Sequence, residues 1–381
     1  MSGRVYLDYN ATAPIRPEAL EAVRQALELG GNPSSIHAAG RSARALIEQA
    51  RDSVAALAGV RPADVVFTSG GSEANTLAIQ SAIAAGARRL IVGATEHPSV
   101  LETAEASGLP VEIWPVDQTG AAVLDWLADR LRRWDAADGR PFVALMAANN
   151  ETGVIQPIAE AATLVHEAGG WLHVDAVQAA GKIDITGLPA DTLALSAHKL
   201  GGPQGSGALI VACDVSLSKR SFGGGQERGR RGGTENVSGI AGFGAAAAAA
   251  HPDIRQTAWR DAAAERLKRE AGIEVIGEAA PRLPNTLSLA APGFASDLQV
   301  MALDLAGVMV SAGSACSSGK VKASHAVTAM GLVDLAPFAL RVSGGWATTA
   351  ADWDRFVDAW LEANTRRTAR VRTRSHTLAE A

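Results

Sequence analysis

The chain has 381 residues, 47% hydrophobic and 20% charged, with a formal net charge of -5 and a pI near 5.9. This length suits about two domains with sizeable cores, and the composition is that of an ordinary soluble globular protein. The weakly acidic balance argues against nucleic acid or an anionic membrane as the main partner, and no apolar run approaches the roughly 18 residues of a membrane span.

In chain order, the first eight residues, Met1 to Asp8, carry no apolar signal core. Residues 38–57 place apolar side chains at helical spacing, which predicts a helix. Short, nearly unbroken apolar runs at 65–68, 89–92, 143–146, 171–174, 193–195 and 208–211 read as strands covered on both faces. Strands alternating with helical segments predict an α/β architecture, a large domain with a mostly parallel, doubly wound sheet and its ligand site at the carboxyl ends of the strands. The alanine run 245–250 reads as a helix, ended by His251-Pro252. Beyond it, 285–289 is a strand candidate and 298–305 a helix candidate. The expected division is 15–252 as the large domain, with 1–14 and 253–381 forming a smaller α+β domain. The basic tail 366–374 reads as a solvated end.

Several motifs sit at or just after the predicted strands. Ser69-Gly70-Gly71-Ser72-Glu73-Ala74-Asn75 leads from a strand into a helix. It is either an anion site, with amides bared by glycines, or a helix capped by Ser72. Glu96-His97-Pro98-Ser99 follows the second strand run, and Asn149-Asn150-Glu151-Thr152-Gly153 the third. Asp175 lies at the end of an apolar strand in His173-Val174-Asp175-Ala176-Val177-Gln178, and Lys199 comes 24 residues later in Ser196-Ala197-His198-Lys199. Pyridoxal phosphate chemistry needs such a pair. The lysine forms the Schiff base with the cofactor aldehyde, and the carboxylate keeps the pyridine nitrogen protonated. A free lysine of pKa about 10.4 must be tuned by conjugation, burial or cationic neighbours to serve near neutrality.

The stretch from Phe222 to Thr234 is too rich in glycine and charge for a core element, and reads as a flexible or an anion-binding loop. Of the two cysteines, Cys213 ends an apolar run and reads as a small buried hydrophobe. Cys316 stands among small residues in Ser311-Ala312-Gly313-Ser314-Ala315-Cys316-Ser317-Ser318-Gly319-Lys320, a setting suited to a thiol that reaches out of a pocket. Two cysteines make neither a disulfide framework nor a C-x-x-C metal site, so no metal and a reduced, cytoplasmic setting are expected. Arg341, in Leu340-Arg341-Val342-Ser343, is placed at a strand end, where its guanidinium could grip a carboxylate through two hydrogen bonds.

Together these stretches resemble the cysteine desulfurases, a branch of the class V aminotransferases among fold-type I pyridoxal phosphate enzymes. The likeness runs in order from Tyr6-Leu7-Asp8-Tyr9-Asn10-Ala11-Thr12-Ala13-Pro14 and Gly31-Asn32-Pro33-Ser34-Ser35-Ile36-His37 through the Asn150, Lys199, Gly224-Gly225-Gln226-Glu227-Arg228-Gly229 and Cys316 motifs. The resemblance implies that Lys199 attaches the cofactor, Asp175 faces the pyridine nitrogen, and His97 stacks on the ring as an acid/base. It implies further that Gln178 and Asn150 approach the phenolic oxygen, and that Gly71, Ser72, Ser196 and His198 surround the phosphate. Thr234 would reach the phosphate of the other subunit of a homodimer. Arg341 and Asn10 would hold the substrate carboxylate.

The implied reaction converts L-cysteine to L-alanine and leaves the sulfur on Cys316 as a persulfide. That sulfur then passes to an acceptor protein, in iron-sulfur cluster assembly or tRNA thiolation. Activities to weigh against it on the same fold are a selenocysteine lyase and a cysteine sulfinate desulfinase. A non-catalytic partner protein is a further contrast, opposed by the intact Lys199, Asp175 and Cys316. Two positions depart from the family pattern: Gly232, where a serine is usual, and Trp346, where an arginine is common. The tail has little likeness to the end on which the housekeeping enzymes dock an iron-sulfur scaffold.

Overall fold

The computed structural model describes residues 3–212, 215–313 and 323–379; Cys213 and Cys316 lie outside them. A short strand β1 (Val5–Tyr6) is followed by helices α1 (Pro17–Leu29) and α2 (Ala38–Ala58), the latter ending on Gly59 in the left-handed region. Then strands and helices alternate: β2 (Val65–Thr68), α3 (Gly71–Ala84), β3 (Leu90–Gly93), α4 (Pro98–Ala106), β4 (Val111–Trp114), α5 (Leu124–Arg132), β5 (Phe142–Met146), α6 (Ile158–Glu167) and β6 (Trp171–Asp175). Two strands follow in succession, β7 (Thr192–Ser196) and β8 (Gly207–Val211), before helix α7 (Val237–Ala249).

Strands β2 to β8 form one seven-stranded sheet in the order β2-β8-β7-β6-β5-β3-β4. Its pairings are parallel from β4 through β7, and only β8 runs against its neighbours. The expected mostly parallel, doubly wound sheet is therefore present. Every residue of β2, β3, β5, β6, β7 and β8 is buried, which is why these strands read as unbroken apolar runs. The sheet-edge strand β4, Val-Glu-Ile-Trp, carries a polar residue and is only partly buried; sequence reasoning missed it. The alanine- and glycine-rich α7 packs on α1 and α2. A Cβ at Gly244 would lie 2.4 Å from the Ala50 Cα, so the small residues permit backbone-to-backbone approach.

The remaining elements are α8 (Arg255–Ala271), β9 (Glu274–Val275), β10 (Thr286–Ala290), α9 (Ser296–Leu305), β11 (Val308–Met309), β12 (Ser311–Ala312), α10 (His325–Ala329), β13 (Ala339–Ser343) and α11 (Ala350–Ala379). An antiparallel sheet, β12-β13-β10-β9, lies beside the parallel pair β1-β11. Leu7, Leu287, Leu340, Trp353, Phe356 and Trp360 belong to a core cluster separate from that of the large sheet. The first residues of the chain thus pack with its last third. Among the described residues, no helix is long and apolar enough to cross a membrane.

Candidate active site

Four parallel strands deliver their carboxyl ends to one edge of the sheet. Asp175 is the last residue of β6, and Lys199 follows β7 in a single helical turn, Ala197–Lys199. His97 caps α4 after β3, and Asn150 lies four residues beyond β5. All four line one cavity of about 680 Å³, together with Asn10, Gly71, Ser72, Gln178, Ser196, His198 and Arg341. Of the candidate residues that can be located, only Thr234 does not line it; Thr234 is exposed on the chain's own surface. Gly313 and His325, on either side of the segment that holds Cys316, also line the cavity.

Asp175 is held from two sides. One carboxylate oxygen accepts from the Asn75 side-chain amide at 2.8 Å, the other from the Val177 backbone N–H at 3.0 Å. The Asn75 carbonyl oxygen in turn meets Nε2 of His173 at 2.9 Å, while Nδ1 of His173 meets the Thr192 hydroxyl at 2.9 Å. Burial, outweighing the nearby Asp175 charge, lowers the His173 pKa to about 4, so the ring is neutral. A neutral ring with Nε2–H donates to the Asn75 carbonyl, which leaves the amide hydrogens for Asp175. Neither His173 nor Asn75 was singled out in the sequence as a site residue. Both side chains point inward from regular elements and carry no local signal.

Nδ1 of His97 accepts from the Ser99 backbone N–H at 3.1 Å, so in the neutral ring the proton sits on Nε2. Burial lowers the His97 pKa, with Asp175 opposing and Lys199 assisting. His198, close to Thr12 Oγ1 at 2.6 Å, is pushed to about 4 by burial and by the charges of Lys199 and Lys182. Glu96 is fully buried beside Asp175; burial first, then that neighbouring charge, raise its carboxyl well above the ordinary range.

The Lys199 amine donates to the backbone carbonyls of Asn10 and Ala11, each at 2.7 Å. Arg341 lies at the centre of β13 rather than at a strand end. It donates to the Asn150 carbonyl at 3.2 Å and pairs with Asp8 at 2.8 Å, while its buried Nε has no partner among the described residues. The guanidinium is therefore oriented by Asp8 and still has donor capacity left. Asn10 is heavily used: its side-chain amide donates to the Asn150 carbonyl at 3.1 Å and to the Thr286 hydroxyl at 2.9 Å.

The start of α3 resolves one sequence ambiguity. Gly70, not Ser72, occupies the capping position, and no side chain caps the helix. Ser72 is thereby free of capping and faces the cavity. A Cβ on Gly71 would lie 2.7 Å from Val177 Cγ2, so a larger residue would push the Val177 side chain in the turn after β6. The glycine-rich loop is pinned in place. Glu227 and Arg228 adopt left-handed backbone angles, and the Glu227 carboxylate takes two hydrogen bonds from buried Arg51 and one from the Phe67 backbone. At Gly232 a Cβ would meet the Ser221 oxygen and Phe222 carbon at 2.8 Å, so the glycine lets this loop fold on itself. Trp346 lies outside the main cavity, bonded to the Pro14 carbonyl and stacked under Arg16. Among the described residues, no cluster of histidine, cysteine and acidic side chains could hold a metal ion.

The donor set fits pyridoxal phosphate: a strand-end carboxylate, a lysine across the cavity, an imidazole, an amide, and a glycine-lined helix start for the phosphate. The family model for class V aminotransferases matches residues 5–356. The chain is 41% identical to a cysteine desulfurase of Cereibacter sphaeroides, over 93% of this chain and 94% of that protein. It is 37% identical to cysteine desulfurase IscS of Dictyoglomus turgidum, with 94% of each covered. A solved NifS-like protein from Rickettsia africae superposes with a TM-score of 0.87 at 31% identity, covering 95% of this chain and 99% of that one.

Proposed function

This chain belongs to the class V aminotransferase family, and we infer from that membership and from the site that it is a pyridoxal phosphate-dependent cysteine desulfurase acting on L-cysteine. The observation that carries this reading is the meeting of Lys199, Asp175, His97 and Gln178 around one cavity. When bound, the cofactor supplies an electron sink that acidifies the substrate Cα–H. In our assignment Lys199 would attach it, Asp175 would keep a proton on its ring nitrogen, His97 would lie against the ring and Gln178 would donate to its phenolic oxygen. Gly71, Ser72, Ser196 and His198 would hold its phosphate. Arg341, oriented by Asp8 and flanked by Asn10 and Asn150, grips the substrate carboxylate. Lys199, freed by the substrate, moves the Cα proton.

Cys316 supplies the nucleophile. Its thiolate attacks the substrate sulfur, a new S–S bond forms, the C–S bond breaks with its electrons kept on the alanine skeleton, and protonation there yields L-alanine. Support comes from the flanking Gly313 and His325, which both line the cavity. At pH 7 a thiol of pKa about 8.5 is only a few per cent ionised, a cost near 2 kcal/mol that proximity more than offsets. The persulfide then passes to an acceptor protein, serving iron-sulfur cluster assembly or tRNA thiolation. The nucleophile must stay reduced, which fits a cytoplasmic setting.

We take residues 15–252 as the cofactor-binding domain and 1–14 with 253–381 as the smaller one; the core around Leu7, Leu287, Leu340 and Trp353, drawn only from the smaller one's residues, supports this. The active unit is a homodimer in which Thr234 completes the partner's phosphate site; its exposure and the pinned loop beneath it support this. Cys316→Ala should keep the cofactor but lose sulfur release by about a hundredfold or more. Mass spectrometry after exposure to cysteine should find one extra sulfur on the Cys316 peptide and none on that of Cys213. Full alanine production by Cys316→Ala would instead favour a lyase or desulfinase.

A further inference from the structure

A second lysine stands behind the first. Lys182 does not line the main cavity; with Lys199 it lines a smaller one of about 50 Å³ on the far side. Its amine donates to the Asn10 side-chain oxygen at 2.8 Å and to the Gln178 side-chain oxygen at 2.5 Å. Gln178 then donates from Nε2 to the Asn10 backbone carbonyl at 2.8 Å, the same carbonyl that accepts from Lys199.

An amide side chain can be turned end for end, exchanging donor and acceptor. A lysine amine beside both amide oxygens removes that choice, because the flipped amides would present N–H groups to a donor. Lys182 therefore holds both amides in one polarity, together with the backbone carbonyls of Asn10 and Asn150 that accept from their N–H groups. The Gln178 oxygen is held by Lys182, and its Nε2, which gives one hydrogen to the Asn10 carbonyl, keeps a second N–H on a residue that lines the main cavity; the Asn10 amide hydrogens are left for Asn150 and Thr286. We propose that Lys182 is a positioning residue, which acts through Gln178 and Asn10 to present a hydrogen-bond donor to the cofactor's phenolic oxygen. The proposal rests on the assignment of Gln178 to that oxygen.

Burial, then the charges of Lys199 and Arg341, push the Lys182 amine well below the ordinary lysine range. The two short contacts to amide oxygens use the amine as a donor on both sides. Other charged or titratable groups facing this region are His198, which feels Lys182, and Tyr9, Arg16, His251 and Asp253 around the small cavity.

The test is a pH titration of the visible absorbance of the holoenzyme. A donor to the phenolic oxygen weakens that oxygen's hold on the shared proton, so losing it raises the titration midpoint. Lys182→Met should raise the midpoint by roughly one unit, the scale of a lost hydrogen bond to a charged group. Gln178→Leu should do the same, and the double variant should add little, since the two act in series. Lys182→Arg, still donor-only, should restore most of the shift. If Lys182→Met does not fold, Lys182→Gln, which loses the donor-only character, is read in the same way. A shift in Gln178→Leu with none in Lys182→Met overturns the inference, and so do additive shifts. No shift in either variant removes the Gln178 assignment and the inference with it. Loss of the visible band in folded Lys182→Met would make Lys182 the attachment lysine, which also overturns it.

Discussion

At the residue scale, the site depends on which buried groups stay neutral. His173 sits wholly inside the sheet and titrates near 4 instead of its ordinary 6.5. A lowered histidine pKa adds nothing above pH 6.5, where both folded and unfolded rings are neutral. As pH falls from 6.5 towards 4, the unfolded chain takes a proton that the folded chain refuses, and stability drops. By pH 5 this costs about 2 kcal/mol. The wild-type urea midpoint should therefore fall between pH 7 and pH 5, and more steeply than in His173→Asn, which keeps a polar but uncharged group. Parallel curves for the two proteins would show that His173 is not the group responsible. Glu96 works in the opposite sense: its carboxyl is raised by burial and by Asp175, so its cost grows as pH rises above the ordinary carboxylate range.

At the element scale, the glycine-rich loop is held by a buried ion pair, Arg51–Glu227, with Arg231–Glu73 and the Arg230 bond to the Val65 carbonyl beside it. Arg51 is 1% and Glu227 2% exposed, and the guanidinium also lies 4.8 Å from the Phe67 ring centre. Removing one partner of such a pair strands the other in the interior, typically at about 3 to 5 kcal/mol. Glu227→Ala should lower the thermal midpoint and release the loop bearing Thr234. In the proposed dimer, cofactor affinity should then fall along with stability. The check is pyridoxal phosphate binding to the apoprotein well below the variant's melting point; unchanged affinity would separate the loop from the phosphate site. The strained backbone at Glu227 and Arg228 fits this view, since left-handed angles at non-glycine residues persist only where surrounding contacts hold them.

At the scale of the whole molecule, the site is built from both ends of the chain. Asp8 and Asn10 come from the first residues, Arg341 from β13, and Asp175 and Lys199 from the large sheet. Relative movement of the two cores would change the site directly. If the homodimer completes the phosphate site, activity should track association. Sedimentation across a dilution series should show loss of activity at the concentration where the dimer dissociates, and a fully active monomer would refute the Thr234 assignment.

Much of this was legible in the sequence, for a definite reason. A parallel sheet buried on both faces makes its strands continuous apolar runs, and chemistry at the carboxyl ends must follow those runs immediately. His97, Asn150, Asp175 and Lys199 share that adjacency, which points to one site, while their roles came from the family resemblance. The edge strand β4 escaped because partial exposure removes the pattern. Asn75, His173 and Asp8 escaped because their partners lie far away in sequence, and so did the contact of Lys182 with Asn10: Asn75 reaches across 100 residues to Asp175, Lys182 across 172 to Asn10, and Asp8 across 333 to Arg341. Burial periodicity is a local property and is written in local sequence. A hydrogen-bond partner is a property of the closed fold, and only the packing of α3, β6 and the N-terminal segment decided which polar groups meet.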